Sequence, residues 1–160
     1  MTIKPGDKLP AAEFSTMTAD GQHKLSTDVV FAGRKVVLFA VPGAFTPTCS
    51  LSHFPDFLKA IDAFKAKGVD TIACTAVNDV HVMTAWANVL DADKKIMMLA
   101  DGNGEFARST GLNIDLSRSG MGERSRRYSM IVENGVVKAL NVEDKPGVNV
   151  SGADTILSQL

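Results

Sequence analysis

Lys35-Val36-Val37-Leu38-Phe39-Ala40-Val41 constrains this chain more than any other stretch, because its length and its β-branched and aromatic content read as a buried strand. Pro42-Gly43 ends that strand. Thr46-Pro47 restarts the chain as a helix, since threonine caps free backbone N–H groups and proline suits the first helical turn. Cys49 then falls in the opening turn, where N–H groups lack intrahelical partners and the helix dipole is positive, so thiolate is favoured over thiol. A cysteine placed this way can have its pKa drawn from about 8.5 to between roughly 3.5 and 7.5, while lying close enough to solvent to meet a small reactant. The competing reading is a buried cysteine acting as a small hydrophobe.

After Thr48, the apolar residues Leu51, Phe54, Phe57, Leu58, Ile61 and Phe64 recur at intervals of three and four, which predicts one core-facing side of a long helix. Pro55 predicts a kink in it, and Lys65, Lys67 and Gly68 a stop. Val69 to Val77 reads as a second strand, parallel to the first because a helix joins them. Asn78 or Asp79 caps a helix to about Val89 that buries Val82, Met83, Trp86 and Leu90. Ile96–Ala100 is a third strand, and Asp101-Gly102-Asn103-Gly104 turns into a short helix over Glu105–Ser109.

Asp7 to Thr18, followed by Ala19-Asp20-Gly21-Gln22, predicts an N-terminal β-hairpin, and Leu25 to Gly33 a connector. Asn113 to Arg126 shows no period and predicts one long loop of the kind that often carries function. Asn134-Gly135 between two apolar runs, Tyr128–Val132 and Val136–Leu140, is a strong hairpin signal. A last helix starts from a Ser151 cap. The series predicts a single α/β domain over residues 1–160, a mixed β-sheet covered by helices on both faces with an N-terminal β-hairpin.

At 160 residues the chain can bury roughly 70% of the surface it exposes unfolded, so it needs neither metal nor disulfide staples. Seventeen basic and eighteen acidic residues give a net charge of −1, which offers no broad attraction to nucleic acid or to an anionic membrane. No apolar run approaches the ~18 residues of a membrane span. The N-terminal Met1–Asp7 lacks the apolar core of a signal peptide and the arginine-rich pattern of a transit peptide, and two cysteines make no disulfide framework. The expected setting is a reducing cytoplasm. The C-terminal Ser158-Gln159-Leu160 is a loose match to a Ser-Lys-Leu peroxisomal address and fits equally well as the end of an amphipathic helix.

Around Cys49, Thr46 can present a hydroxyl beside the sulfur and Pro42 can shape a pocket or simply end the strand. His53, four residues on, lies on the same helix face, where it can act as a base, pack, or join Cys49 as a metal seat. Two ligands are too few for a structural zinc site, so no metal is expected. Arg124, Arg126 and Arg127 precede the Tyr128 strand.

Pro42, Thr46 and Cys49, in the order P-x-x-x-T-x-x-C, resemble the active-site signature of the peroxiredoxins. The longer Pro-Gly-Ala-Phe-Thr-Pro-Thr-Cys-Ser is similar to the peroxiredoxin-5 branch, which includes the plant type II enzymes. The likeness continues through Ala76–Asp79, Leu99–Asp101, Arg127–Met130 and Val137–Val142.

The resemblance implies a thioredoxin-like fold and a thiol peroxidase that reduces hydrogen peroxide and organic hydroperoxides through a Cys49 sulfenic acid. Arg127, preceding an aromatic-Ser-Met stretch, inherits the role of pocket cation, and Arg124 and Arg126 are left as solvated surface residues. It implies no bound cofactor, recycling by glutathione, glutaredoxin or thioredoxin, and a homodimer packed near the active-site loops with Phe45 in contact. The animal branch carries a resolving cysteine where this chain has Ser151, whereas Cys74 matches the plant position. Cys74 is therefore either a resolving or an inert core cysteine. The alternative function is a redox-sensing interaction protein oxidised without sustained turnover.

Overall fold

The computed structural model describes residues 1–92 and 95–160. Strands β1 (Glu13–Thr18) and β2 (Gly21–Ser26) form the expected N-terminal hairpin, and α1 (Thr27–Phe31) leads into β3 (Lys35–Ala40). The connector expected over Leu25 to Gly33 is thus the end of a strand and a short helix, capped by the Ser26 hydroxyl. The helix after Thr46 is broken into a π-helical turn over Cys49–His53, α2 (Phe54–Lys59) and α3 (Ile61–Ala66). Then follow β4 (Thr71–Ala76), α4 (Val80–Val89), β5 (Met97–Ala100) and α5 (Glu105–Thr110). The chain closes with β6 (Asn113–Asp115), β7 (Glu123–Ser125), β8 (Tyr128–Glu133), β9 (Val136–Val142) and α6 (Ala153–Gln159).

Seven strands make one sheet in the order β2-β1-β5-β4-β3-β8-β9. β3, β4 and β5 run parallel, as helical crossovers require, and β1, β8 and β9 run antiparallel to their neighbours. Period-two alternation along β3 divides the core. Val37 and Phe39, with Val41 just beyond the strand, pack beneath α2, α3, α4 and α6, while Val36, Leu38 and Ala40 face Phe31, Phe14 and Phe106 on the other side. The mixed, doubly covered sheet of a thioredoxin-like α/β fold is present.

Four expectations are corrected. Leu51 is not core: it is 79% exposed, while Phe54, Phe57 and Phe64 are fully buried. The i→i−5 bond from Phe54 N–H to Cys49 C=O widens the turn, so Leu51 falls out of phase with the apolar side that follows. Asn113–Arg126 is not one structureless loop but the β6–β7 hairpin around a 3₁₀ turn, its strands too short to show a period.

Ser151 does not cap α6, because its hydroxyl goes to Glu143. The Ala153 N–H of the first turn is taken instead by the Asp56 carboxylate at 3.1 Å. Thr46 stands at the start of its helix, its C=O accepting from Ser50 N–H. Its hydroxyl, however, donates to Gly43 C=O at 2.7 Å and caps no N–H in the turn.

Candidate active site

Three strand ends converge on Cys49. In the antiparallel pair β3–β8, Ala40 lies opposite Tyr128, so the residues leaving β3, Val41 and Pro42, run beside the residues entering β8, Arg126 and Arg127. That register brings together side chains far apart in sequence. Arg127 Nη2 donates to Cys49 Sγ at 3.1 Å, and Arg127 Nη1 lies 2.9 Å from His53 Nδ1. The planar guanidinium fork serves both partners at once, which a lysine could not do.

The second bond fixes the state of His53. Arginine has no acceptor, so Nδ1 must be the bare nitrogen, and Nε2 carries the hydrogen that it donates to Ser151 C=O at 2.9 Å. Burial lowers the imidazole pKa to about 4; the Ser151 carbonyl opposes that shift and the Arg127 charge adds to it. The ring is held between Phe39 and Phe57, with centroids 5.2 and 5.4 Å away. With both nitrogens engaged, His53 has none left to act as base on the thiol. It serves as an acceptor for Arg127. Among the described residues no group of three or more His, Cys, Asp or Glu is arranged to hold a metal ion.

Cys49 is fully buried, not near the surface as expected. Beside it lies a cavity of about 360 Å³ whose wall includes Pro42, Thr48 and Arg127 together with Ile114, Leu116 and Arg126. The sequence gives no sign that Ile114 and Leu116 reach this wall, because they belong to the hairpin read as loop. Thr46, having given its only hydroxyl hydrogen to Gly43, offers acceptor lone pairs. Ala44 N–H is held by Asn78 Oδ1 at 2.9 Å, and Phe45 stands at the loop tip with φ +65° and half its surface exposed.

Two arginines expected at the surface are also involved. Arg126 lines the cavity. Arg124 is half-buried, donates from Nε to Met121 C=O at 2.9 Å, and lies with Met121 so close over Gly43 that a Cβ there would come within 3.4 and 3.2 Å of them. The hairpin therefore clamps the loop leading to Cys49.

Beyond Cys49, Ser50 Oγ accepts from Trp86 Nε1 at 2.9 Å, which ties the turn that carries Cys49 to α4. Cys74 is buried in β4 between Phe39 and Met98 on the neighbouring strands, and burial first, then Cys49, pushes its thiol pKa up. Both cysteines are free thiols.

A protein-family model described as Redoxin matches residues 4–157. Peroxiredoxin-2E-2, chloroplastic, of Oryza sativa subsp. japonica is 49% identical over 164 residues, covering 99% of this chain and 73% of that protein. Peroxiredoxin-2C of the same plant is 45% identical and covers 99% of this chain and 98% of its own. Among solved structures, reduced Prx3 of Vibrio vulnificus in complex with hydrogen peroxide superposes with a TM-score of 0.94 at 49% identity, covering 98% of each chain.

Proposed function

Because the chain belongs to the redoxin family, on its peroxiredoxin branch, it is a thiol peroxidase, and we propose that Cys49 is its nucleophile, with Arg127, Thr46 and Pro42 completing the peroxide pocket. The observation that carries this assignment is the Arg127 guanidinium donating to Cys49 Sγ at 3.1 Å. That donor complements an anionic sulfur. The same cation stands ready for the negative charge that develops on the oxygens as the peroxide bond breaks.

The Cys49 thiolate attacks one peroxide oxygen, an S–O bond forms as the O–O bond breaks, and the departing alkoxide or hydroxide takes up a proton. The products are an alcohol or water and Cys49 sulfenic acid. Thr46 accepts the hydrogen of the incoming hydroperoxide, since its own hydrogen is committed to Gly43. Pro42 forms the cavity wall that limits water around the sulfur. Stoichiometric hydrogen peroxide should oxidise Cys49 far faster than free cysteine, and Cys49→Ser should abolish turnover. Oxidation no faster than that of free cysteine would overturn the assignment.

Regeneration is assigned to an external thiol, glutathione with glutaredoxin, or thioredoxin, and needs no bound cofactor. One thiol condenses with the sulfenic acid, releasing water, and a second displaces the mixed disulfide to return Cys49 as a thiol. The burial of Cys74 supports this route over an internal one. Turnover assays with each reductant separate the candidates. Membership of an enzyme family leaves the sensor without turnover as a reading that no feature of the site favours.

The exposed, left-handed Phe45 supports a homodimer formed at the active-site loops. A monomer by sedimentation at micromolar concentration would remove that assignment. Two free thiols suit a reducing compartment such as the cytoplasm, which cell fractionation would test.

A further inference from the structure

The register that brings Arg127 to Cys49 brings a third chain segment with it. Tyr128 pairs with Ala40 on one side and Val142 on the other, so Glu143, the residue leaving β9, lies beside Arg127 and donates its N–H to Arg127 C=O at 3.0 Å. Glu143 keeps only 7% of its surface exposed. Its Oε2 accepts from the N–H groups of Asn149, Val150 and Ser151, each at 2.8 Å, and from Ser151 Oγ at 2.6 Å. Burial pushes the carboxyl pKa up, but the Ser151 hydroxyl and the three N–H groups outweigh it and hold the group below its ordinary range. The residue so immobilised is the one whose carbonyl receives His53 Nε2–H.

We propose that Glu143 is a positioning residue for the peroxidase reaction: by anchoring Ser151 it enforces the single His53 tautomer that can receive Arg127, and so sets the guanidinium against the Cys49 sulfur. The proposal rests on Cys49 being the nucleophile. Four linked contacts carry it, from Glu143 to Ser151, from Ser151 to His53, from His53 to Arg127 and from Arg127 to Cys49. If the Ser151 carbonyl moves, Nε2–H loses its acceptor inside an aromatic cage. The other tautomer, or a protonated ring, turns an N–H toward the N–H groups of Arg127, donor against donor. The charged groups around the ring are Arg127, Glu143 and Asp56.

Loop anchoring alone would explain a carboxylate here, so the test must read the imidazole as well as the rate. Glu143 Oε1 has no partner among the described residues, so a glutamine can place its amide oxygen where Oε2 sits and its NH₂ where nothing is displaced. Wild type, Glu143→Gln, Glu143→Ala and Thr110→Ala, a distant control that loses a buried hydroxyl, are compared. The measurements are stopped-flow oxidation of Cys49 by hydrogen peroxide and ¹⁵N NMR of His53.

Glu143→Ala should slow oxidation by roughly 10- to 100-fold, the scale expected for a misplaced catalytic group. It should also leave His53 in mixed tautomers. Glu143→Gln should stay close to wild type in both readouts, and Thr110→Ala should lose thermal stability without losing rate. Should the alanine variant not fold, Glu143→Asp, whose shorter side chain cannot reach all four donors, is read by the same two criteria.

A wild-type rate in the alanine variant, or a slow one with His53 still purely Nε2–H, overturns the proposal. A wild-type protein that peroxide leaves unoxidised at Cys49 would instead overturn the nucleophile assignment, a distinct outcome.

Discussion

Arg127 divides one guanidinium between two acceptors of opposite character, a neutral imidazole nitrogen that orients it and a sulfur that uses it. Arg127→Lys keeps the charge but loses the fork. It should slow Cys49 oxidation by roughly 10²- to 10³-fold, the loss seen when a preorganised donor to developing charge is removed. Stopped-flow fluorescence of Trp86, hydrogen-bonded to Ser50 beside Cys49, would read it.

His53 makes a separate prediction about stability. Its folded pKa is about 4 against an ordinary 6.5, so between those values the unfolded chain binds more protons than the folded one. Stability is then full above pH 6.5 and falls as pH drops through 4, by on the order of 3 kcal/mol. Urea unfolding of wild type and His53→Gln across that window isolates the effect as a difference in slope. The proposed pocket residues Cys49, Thr46 and Pro42 stand out in the sequence because they share one short motif whose chemistry can be named, and Arg127 stands out through the family resemblance. The part played by His53 was not, because it depends on Arg127 from a distant strand. Glu143, followed by Asp144 and Lys145, belongs to no motif that sets it apart in the sequence.

Among the elements, most strands of the large sheet are plainer in the sequence than the helix that carries Cys49, and the reason lies in periodicity. A strand alternates regardless of small errors at its ends, so β3, β4, β5, β8 and the turn at Asn134-Gly135 emerge from apolar runs. The helix carries an irregularity that periodicity cannot show. One i→i−5 turn before Pro55 resets the phase, so a residue three before Phe54 points to solvent. Leu51→Ala should therefore change stability by less than about 0.5 kcal/mol. Phe54→Ala, by contrast, empties a site packed on Phe39 and Trp86, at ring-centroid distances of 5.5 and 4.8 Å, and should cost about 3 to 5 kcal/mol. Equilibrium urea denaturation of the two variants checks the phase directly. Equal losses would mean that the turn is α-helical and Leu51 is core.

At the scale of the whole molecule, the sheet order decides which cysteine can do what. β3 and β9 end where β8 begins, which places Cys49, Arg127 and Glu143 around one site, while Cys74 is held mid-strand in β4 with ladder partners on both sides. Local pattern could not reveal this, because the pairing of β3 with β8 spans most of the chain. Resolution by Cys74 needs its thiolate, yet burial disfavours that form, and the turn that would have to unwind is tied to α4 through Ser50 and Trp86. One equivalent of hydrogen peroxide should therefore convert the two free thiols of the reduced protein to one, with the mass of a single added oxygen. Cys74→Ala should then cycle with glutathione and glutaredoxin, or with thioredoxin, as fast as wild type. Loss of both thiols without added oxygen, and a cycling defect in Cys74→Ala, would instead show that β4 releases its cysteine to an internal disulfide and that oxidation opens the core of the fold.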